Sequence, residues 1–177
     1  MPQYRRAKIE GSVFFFTVVL AERPSKLLSE KIDRFRRIYR TIQQRRPFET
    51  IAICVLPDHV HALWALPEGD ADFSGRWRAI KTEFSKSLPA DEPRSPMMAS
   101  HGERGIWQRR YWEHTIRDER DYAAHMDYTH FNPVKHGLVE NAADWPFSSF
   151  RRCVARGFYP EGWLGGGNAP LETGERP

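Results

Sequence analysis

The chain has 177 residues and a net charge of +4, enough for one domain whose sheet is covered by a few helices. No run of about 18 apolar residues occurs, which excludes a membrane-spanning helix. The opening MPQYRRAKIEGS carries charges but no apolar stretch before a cleavage site, so no secretory leader is expected. Cys54 and Cys153 are too few and too far apart for a disulfide framework or a cysteine metal site, and they read as inert packing residues. The mild positive charge permits a polyanionic partner without requiring one.

In chain order, GSVFFFTVVLAE predicts a strand over 13–20, apolar enough to be central. SEKIDRFRRIYRTIQQRR follows as a helix capped by Ser29 and closed by Pro47, with Ile32, Phe35, Ile38, Tyr39 and Ile42 at helical spacing. ETIAICVL and HVHALWAL are two strands joined at Pro57-Asp58, an antiparallel hairpin. DFSGRWRAIKTEFSKSL is a helix with Phe73, Trp77, Ile80, Phe84 and Leu88 in one stripe. Residues 89–105, rich in proline and glycine, read as a long loop, a common place for function. IWQRRYWEHTIR is a fourth strand with a bend at Arg109-Arg110. DERDYAAHMDYTHFNP is a helix capped by Asp118 and ended by Pro133. DWPFSSFRRCVARG is a short helix stopped by Gly157. The β-α-β-β-α-β-α order predicts an α+β fold: a ferredoxin-like antiparallel sheet built as a split βαβ, with helices packed on it. The domain spans 1–164, and the polar, glycine-rich 165–177 reads as a disordered tail.

Two constellations carry chemistry. His59 and His61 lie two apart on a predicted central strand, so both point the same way. Alone, the pair fits a polar sheet face as well as half of a metal site. Asp121, His125, Tyr128 and Asn132 recur at spacings of four, three and four on the later helix, one polar stripe. Taken together, the two imidazoles and the Asn132 amide can hold one divalent ion with open positions, and Tyr128 lies one helical turn from the amide. A phenol beside a metal that polarises a phosphoryl oxygen can act as a nucleophile and form a phosphotyrosine. Tyr111 reads as packing and Tyr122 lies on another helical face. His114 and His136 are candidates for contact with DNA or with the site, and His130 is expected to face away.

The blocks LPDHVHALWALPEGDADFSGRWRAIKTEFSK, GIWQRRYWEHTIRDERDY and MDYTHFNPVKHGLV with DWPFSSF closely resemble the REP-associated tyrosine transposases, over roughly residues 4–163. These belong to the HUH (His-hydrophobic-His) superfamily of single-strand DNA transposases and endonucleases. The resemblance implies His59, His61 and Asn132 as metal ligands, Tyr128 as the catalytic nucleophile and Mg²⁺ or Mn²⁺ as the cofactor. It implies cleavage and rejoining of single-stranded DNA at REP hairpins through a 5′-phosphotyrosine, by a monomer located in the cytoplasm at the nucleoid, with no membrane partner. Arg5, Arg6, Arg109, Arg110 and Lys135 are the candidate DNA contacts, because phosphate affinity comes from such bases. A non-catalytic hairpin DNA-binding module is the alternative, since ferredoxin-like sheets often bind nucleic acid without chemistry. A zinc hydrolase ranks last, for want of further histidine or carboxylate ligands nearby in sequence.

Overall fold

The structure is a computed structural model that describes residues 11–90, 100, 102, 104–165, 171 and 173–174. Its elements are β1 (Val13–Val19), α1 (Leu27–Glu30), α2 (Ile32–Arg45), β2 (Glu49–Val55), β3 (His59–Ala65), α3 (Phe73–Lys86), β4 (Trp112–Thr115), α4 (Glu119–Lys135) and α5 (Phe150–Ala155). A single 3₁₀ turn, Ala142–Asp144, precedes α5. The sheet order is β2-β3-β1-β4 and every pairing is antiparallel. This is the α+β, split βαβ arrangement that the sequence predicts.

Strand alternation divides the sheet into two faces. Phe14, Phe16 and Val18 of β1 and Val60, Ala62 and Trp64 of β3 join Phe35, Tyr39, Trp77, Ile80 and Phe84 from α2 and α3 in one buried cluster. The Trp64 and Trp77 rings stack at 4.3 Å and 13°, and the Trp64 indole donates to the Tyr39 hydroxyl at 2.7 Å. The opposite face carries Phe15, Leu63, Met126 and Phe150. On this face the apolar pattern breaks at Thr17, His59 and His61, which are polar and almost fully buried. Burying three polar side chains is unfavourable unless each is hydrogen-bonded, so this face is shaped by something other than packing.

Five local expectations change. The first helix breaks at Lys31 (φ −111°, ψ 26°) into α1 and α2. Ser29 does not cap it, because its hydroxyl donates to the Lys26 carbonyl at 2.9 Å and so lies inside α1. The last strand begins at Trp112, not Ile106. The residues before it form an isolated bridge to the end of β1, through Ala21 N–Ile106 O (3.0 Å) and Gln108 N–Val19 O (3.0 Å), while Lys81 takes the Gln108 carbonyl. Pro133 does not end α4, which runs to Lys135. A proline removes one backbone donor, and so near the helix end the remaining turn tolerates that loss. The last helix is shorter than its sequence block and starts at Phe150.

Candidate active site

β3 presents His59 and His61 toward α4, with ring centroids 4.8 Å apart and exposures of 2% and 0%. Each ring has its Nδ1 engaged. The Asp58 carboxylate accepts from His59 Nδ1 at 2.6 Å and from Arg23 Nε at 2.7 Å. Burial opposes ionisation of Asp58, yet hydrogen bonds from His59 and Arg23 hold its carboxyl down at about 2. Thr17, directly across from His61 in the β1–β3 register, donates its hydroxyl proton to the Thr173 carbonyl at 2.6 Å. That hydroxyl has one proton, so in its 3.0 Å contact with His61 Nδ1 the imidazole is the donor. Both rings therefore carry hydrogen on Nδ1, and Nε2 is the nitrogen each would bring to a metal.

Above them, α4 starts at Asp118, whose side chain accepts from Asp121 N at 2.8 Å. Its buried stripe contains Asp121, His125 and Asn132, with Tyr128 half-buried. The Tyr128 ring lies 5.2 Å from His61, edge-on, and 6.0 Å from Phe15. Lys135 Nζ donates to the Tyr128 hydroxyl at 3.1 Å and sits 4.8 Å over its ring. His136 ends the helix with its ring 5.3 Å from His59. Asn132 is fully buried, four residues from both Tyr128 and His136, so it occupies the same helix face between two residues that touch the histidines.

The remaining candidates fall elsewhere. Lys135 is at the site, but Arg109 and Arg110 are exposed on the segment before β4. Arg109 lines a groove of about 590 Å³ with Arg78, Lys81, Lys86, Trp107 and Tyr111, on the α3 side of the sheet. A second basic cleft of about 550 Å³ lies over the β2 edge, with Arg36, Arg40, Arg152, Arg156 and Phe147. Arg5 and Arg6 lie outside the described residues, as does most of the 89–105 loop. Tyr111 packs on the α3-side core. His130 points away from the pair and bonds Ser149 Oγ and Tyr159 OH at 2.9 and 3.2 Å. Burial, reinforced by Arg152, pushes it down to about 3. Burial likewise pushes the thiols of Cys54 and Cys153 up, so neither is a thiolate at neutral pH. Of the tail's described residues, Thr173 is buried against Thr17, and Gly174 (φ 69°) abuts Trp112.

Sequence reasoning missed Asp58, Thr17 and Phe15 as supports of the site. Asp58 adjoins His59 and was legible as its partner. Thr17 and Phe15 emerge only from strand register.

A sheet of this order, with paired histidines under a helix that carries a tyrosine and an asparagine one turn apart, has the layout of a tyrosine transposase. The family description "Transposase IS200 like" matches residues 13–130. A REP-associated tyrosine transposase of Escherichia coli K12 is 47% identical over 165 residues, 93% of this chain and 92% of that protein. A Haemophilus influenzae protein assigned to the same class is 47% identical over 173 residues, 97% of both chains. A REP-associated tyrosine transposase solved bound to a REP hairpin superposes with a TM-score of 0.84 at 46% identity, covering 99% of this chain and 98% of that one. The chain belongs to the IS200-like transposase family, as one of its REP-associated tyrosine transposases. No helix among the described residues is long and apolar enough to cross a membrane.

Proposed function

We propose that this transposase cleaves and rejoins single-stranded DNA at REP hairpins in a divalent-metal-dependent reaction through a 5′-phosphotyrosine. The observation that carries the reading is the Tyr128 phenol held by Lys135 beside the ring of His61. The hairpin-bound relative supports the substrate.

His59, His61 and Asn132 are the residues that would hold Mg²⁺ or Mn²⁺. The donor set fits such an ion: two buried imidazoles with their Nδ1 hydrogens already committed, and one buried amide on the facing helix. When bound, the ion supplies Lewis-acid polarisation of the scissile phosphate. Tyr128 gives its proton to solvent water and its oxygen attacks the phosphorus. A tyrosine O–P bond forms to the 5′-phosphate, the P–O3′ bond breaks, and the departing oxygen takes up a proton to leave a 3′-hydroxyl. One phosphodiester replaces another, so the step runs backward when a 3′-hydroxyl attacks the phosphotyrosine, and strands are rejoined. The Lys135 ammonium stabilises the charge that develops on the phenol oxygen. Tyr128 is the one tyrosine among the described residues whose ring meets the paired histidines, so each chain would hold one covalent end at a time, and the acting unit is a monomer on DNA at the nucleoid. Bases such as Arg109, Arg110, Lys135, Arg5 and Arg6 serve as phosphate contacts.

Incubation with a REP hairpin oligonucleotide and Mn²⁺ tests the reading. A covalent protein–DNA adduct is expected, lost in Tyr128→Phe and lost with EDTA. An undiminished adduct in Tyr128→Phe removes the assignment. Hairpin binding indifferent to EDTA, with no adduct at all, returns the chain to a binding module.

A further inference from the structure

We propose that Asp121 is a positioning residue that clamps the first turn of α4 to β4 and thereby sets how the Tyr128–Asn132 face meets the histidines of β3. The inference rests on the proposed function for the roles of those residues.

Asp121 is 7% exposed and is the hub of a bonded cluster outside the histidine pair. Its carboxylate accepts from His114 Nε2 on β4 at 2.8 Å, from the Arg117 backbone at 3.0 Å and from Arg117 Nε at 3.2 Å. A capping-box carboxylate would turn back to the N-cap amide. This one reaches past it to the preceding residue and across to a strand. His125, one turn on, donates Nδ1–H to the Asp121 carbonyl at 2.8 Å and lies 3.1 Å from its carboxylate. The His114 and His125 rings stack at 4.6 Å. His125 in turn packs on Phe15 at 4.7 Å, and Phe15 contacts both His61 (5.6 Å) and Tyr128 (6.0 Å). An unbroken run of contacts therefore joins Asp121 to the nucleophile and to one candidate ligand. Phe15 also sits opposite His114 in the β1–β4 register, so the clamp fixes α4 to the same strand pair that supports the site.

His114, Asp121 and His125 bring three ligating atoms within 4.8 Å, which resembles a metal set. The ring geometry opposes that. Two imidazoles stacked at 16° and 4.6 Å cannot both aim in-plane lone pairs at one ion about 2.1 Å away. Three donors also crowd the Asp121 Oδ2, and Oδ1 lies 3.1 Å from His125 Nδ1. The cluster is a clamp.

The test uses the full chain as wild type, Asp121→Asn, His114→Asn and the double variant. Mn²⁺ affinity is read by electron paramagnetic resonance of the free ion without DNA, hairpin affinity by anisotropy, adduct formation at saturating hairpin, and melting for foldedness. Losing a support behind the ligands typically costs about 10–100-fold. Asp121→Asn is expected to weaken Mn²⁺ binding and slow adduct formation by about 10-fold or more, with hairpin affinity within about twofold. His114→Asn cuts only the β4 arm, which keeps the proposal testable if Asp121→Asn folds poorly, and the double variant should be no worse than the stronger single. Wild-type Mn²⁺ affinity and adduct rate in both single variants overturn the clamp. So does one equivalent of Mn²⁺ that persists in His59→Ala/His61→Ala and vanishes on adding Asp121→Asn, which would make the cluster a metal site. If the wild type forms no adduct, the function reading falls, and the Mn²⁺ titration alone decides the clamp.

Discussion

Replacing Thr17 with valine keeps the branched shape in β1 and removes one oxygen. That oxygen is 1% exposed as part of Thr17 and serves two partners, His61 Nδ1 at 3.0 Å and the Thr173 carbonyl at 2.6 Å. Each buried group left without its partner costs about 1–3 kcal/mol, so with two such groups folding stability should fall by about 2–6 kcal/mol. The imidazole also loses what holds hydrogen on Nδ1. Such a loss behind a metal ligand weakens binding by about 10–100-fold, or about 1.4–2.7 kcal/mol. Urea unfolding reads the first quantity and Mn²⁺ titration by electron paramagnetic resonance reads the second. A Thr17→Val protein that is less stable but binds Mn²⁺ as the wild type does would show that the hydroxyl braces the sheet and not the ring. That result would refute the tautomer argument.

Lys135→Met should slow adduct formation by about tenfold at saturating hairpin, since a charge-assisted bond to the phenol is lost but is partly exposed to water; an unchanged rate there would assign Lys135 to DNA affinity alone. Asp121 gives a pH dependence of stability. Burial opposes its ionisation, but hydrogen bonds from His114 and Arg117 hold the carboxyl at about 2, against about 3.9 in an unfolded chain. A depressed carboxyl stabilises above the unfolded value, so on the order of 2–3 kcal/mol should be present at neutral pH and disappear as pH falls from about 4 to 2. Urea midpoints across that range should drop in the wild type, with a shallower fall in Asp121→Asn.

Much of this arrangement was legible because it depends on local period. His59 and His61 share a face by strand alternation alone, and Tyr128, Asn132 and His136 share one by helical spacing. Apolar stripes such as Phe73, Trp77, Ile80 and Phe84 likewise announced the face that α3 buries. What escaped depends on partners distant in sequence or on competition between bonds. Ser29 has the right chemistry for a cap but spends its hydroxyl on a carbonyl behind it. Trp107 to Tyr111 have strand composition, yet the Lys81 ammonium takes the Gln108 carbonyl and the ladder starts only at Trp112. Thr17 looked like one more β-branched residue in an apolar strand, and its role appears only when β1 is set against β3. Asp121 was readable as a stripe member, but its reach to His114 depends on where β4 ends and α4 begins.

The bond from Thr17 to Thr173 joins residues 156 positions apart. His61 is therefore oriented through one hydroxyl by a backbone carbonyl that belongs to no strand or helix. Shifting the segment that carries Thr173 would free the Thr17 proton to turn toward the ring, so a change far along the chain would reach the imidazole with no residue of the sheet altered.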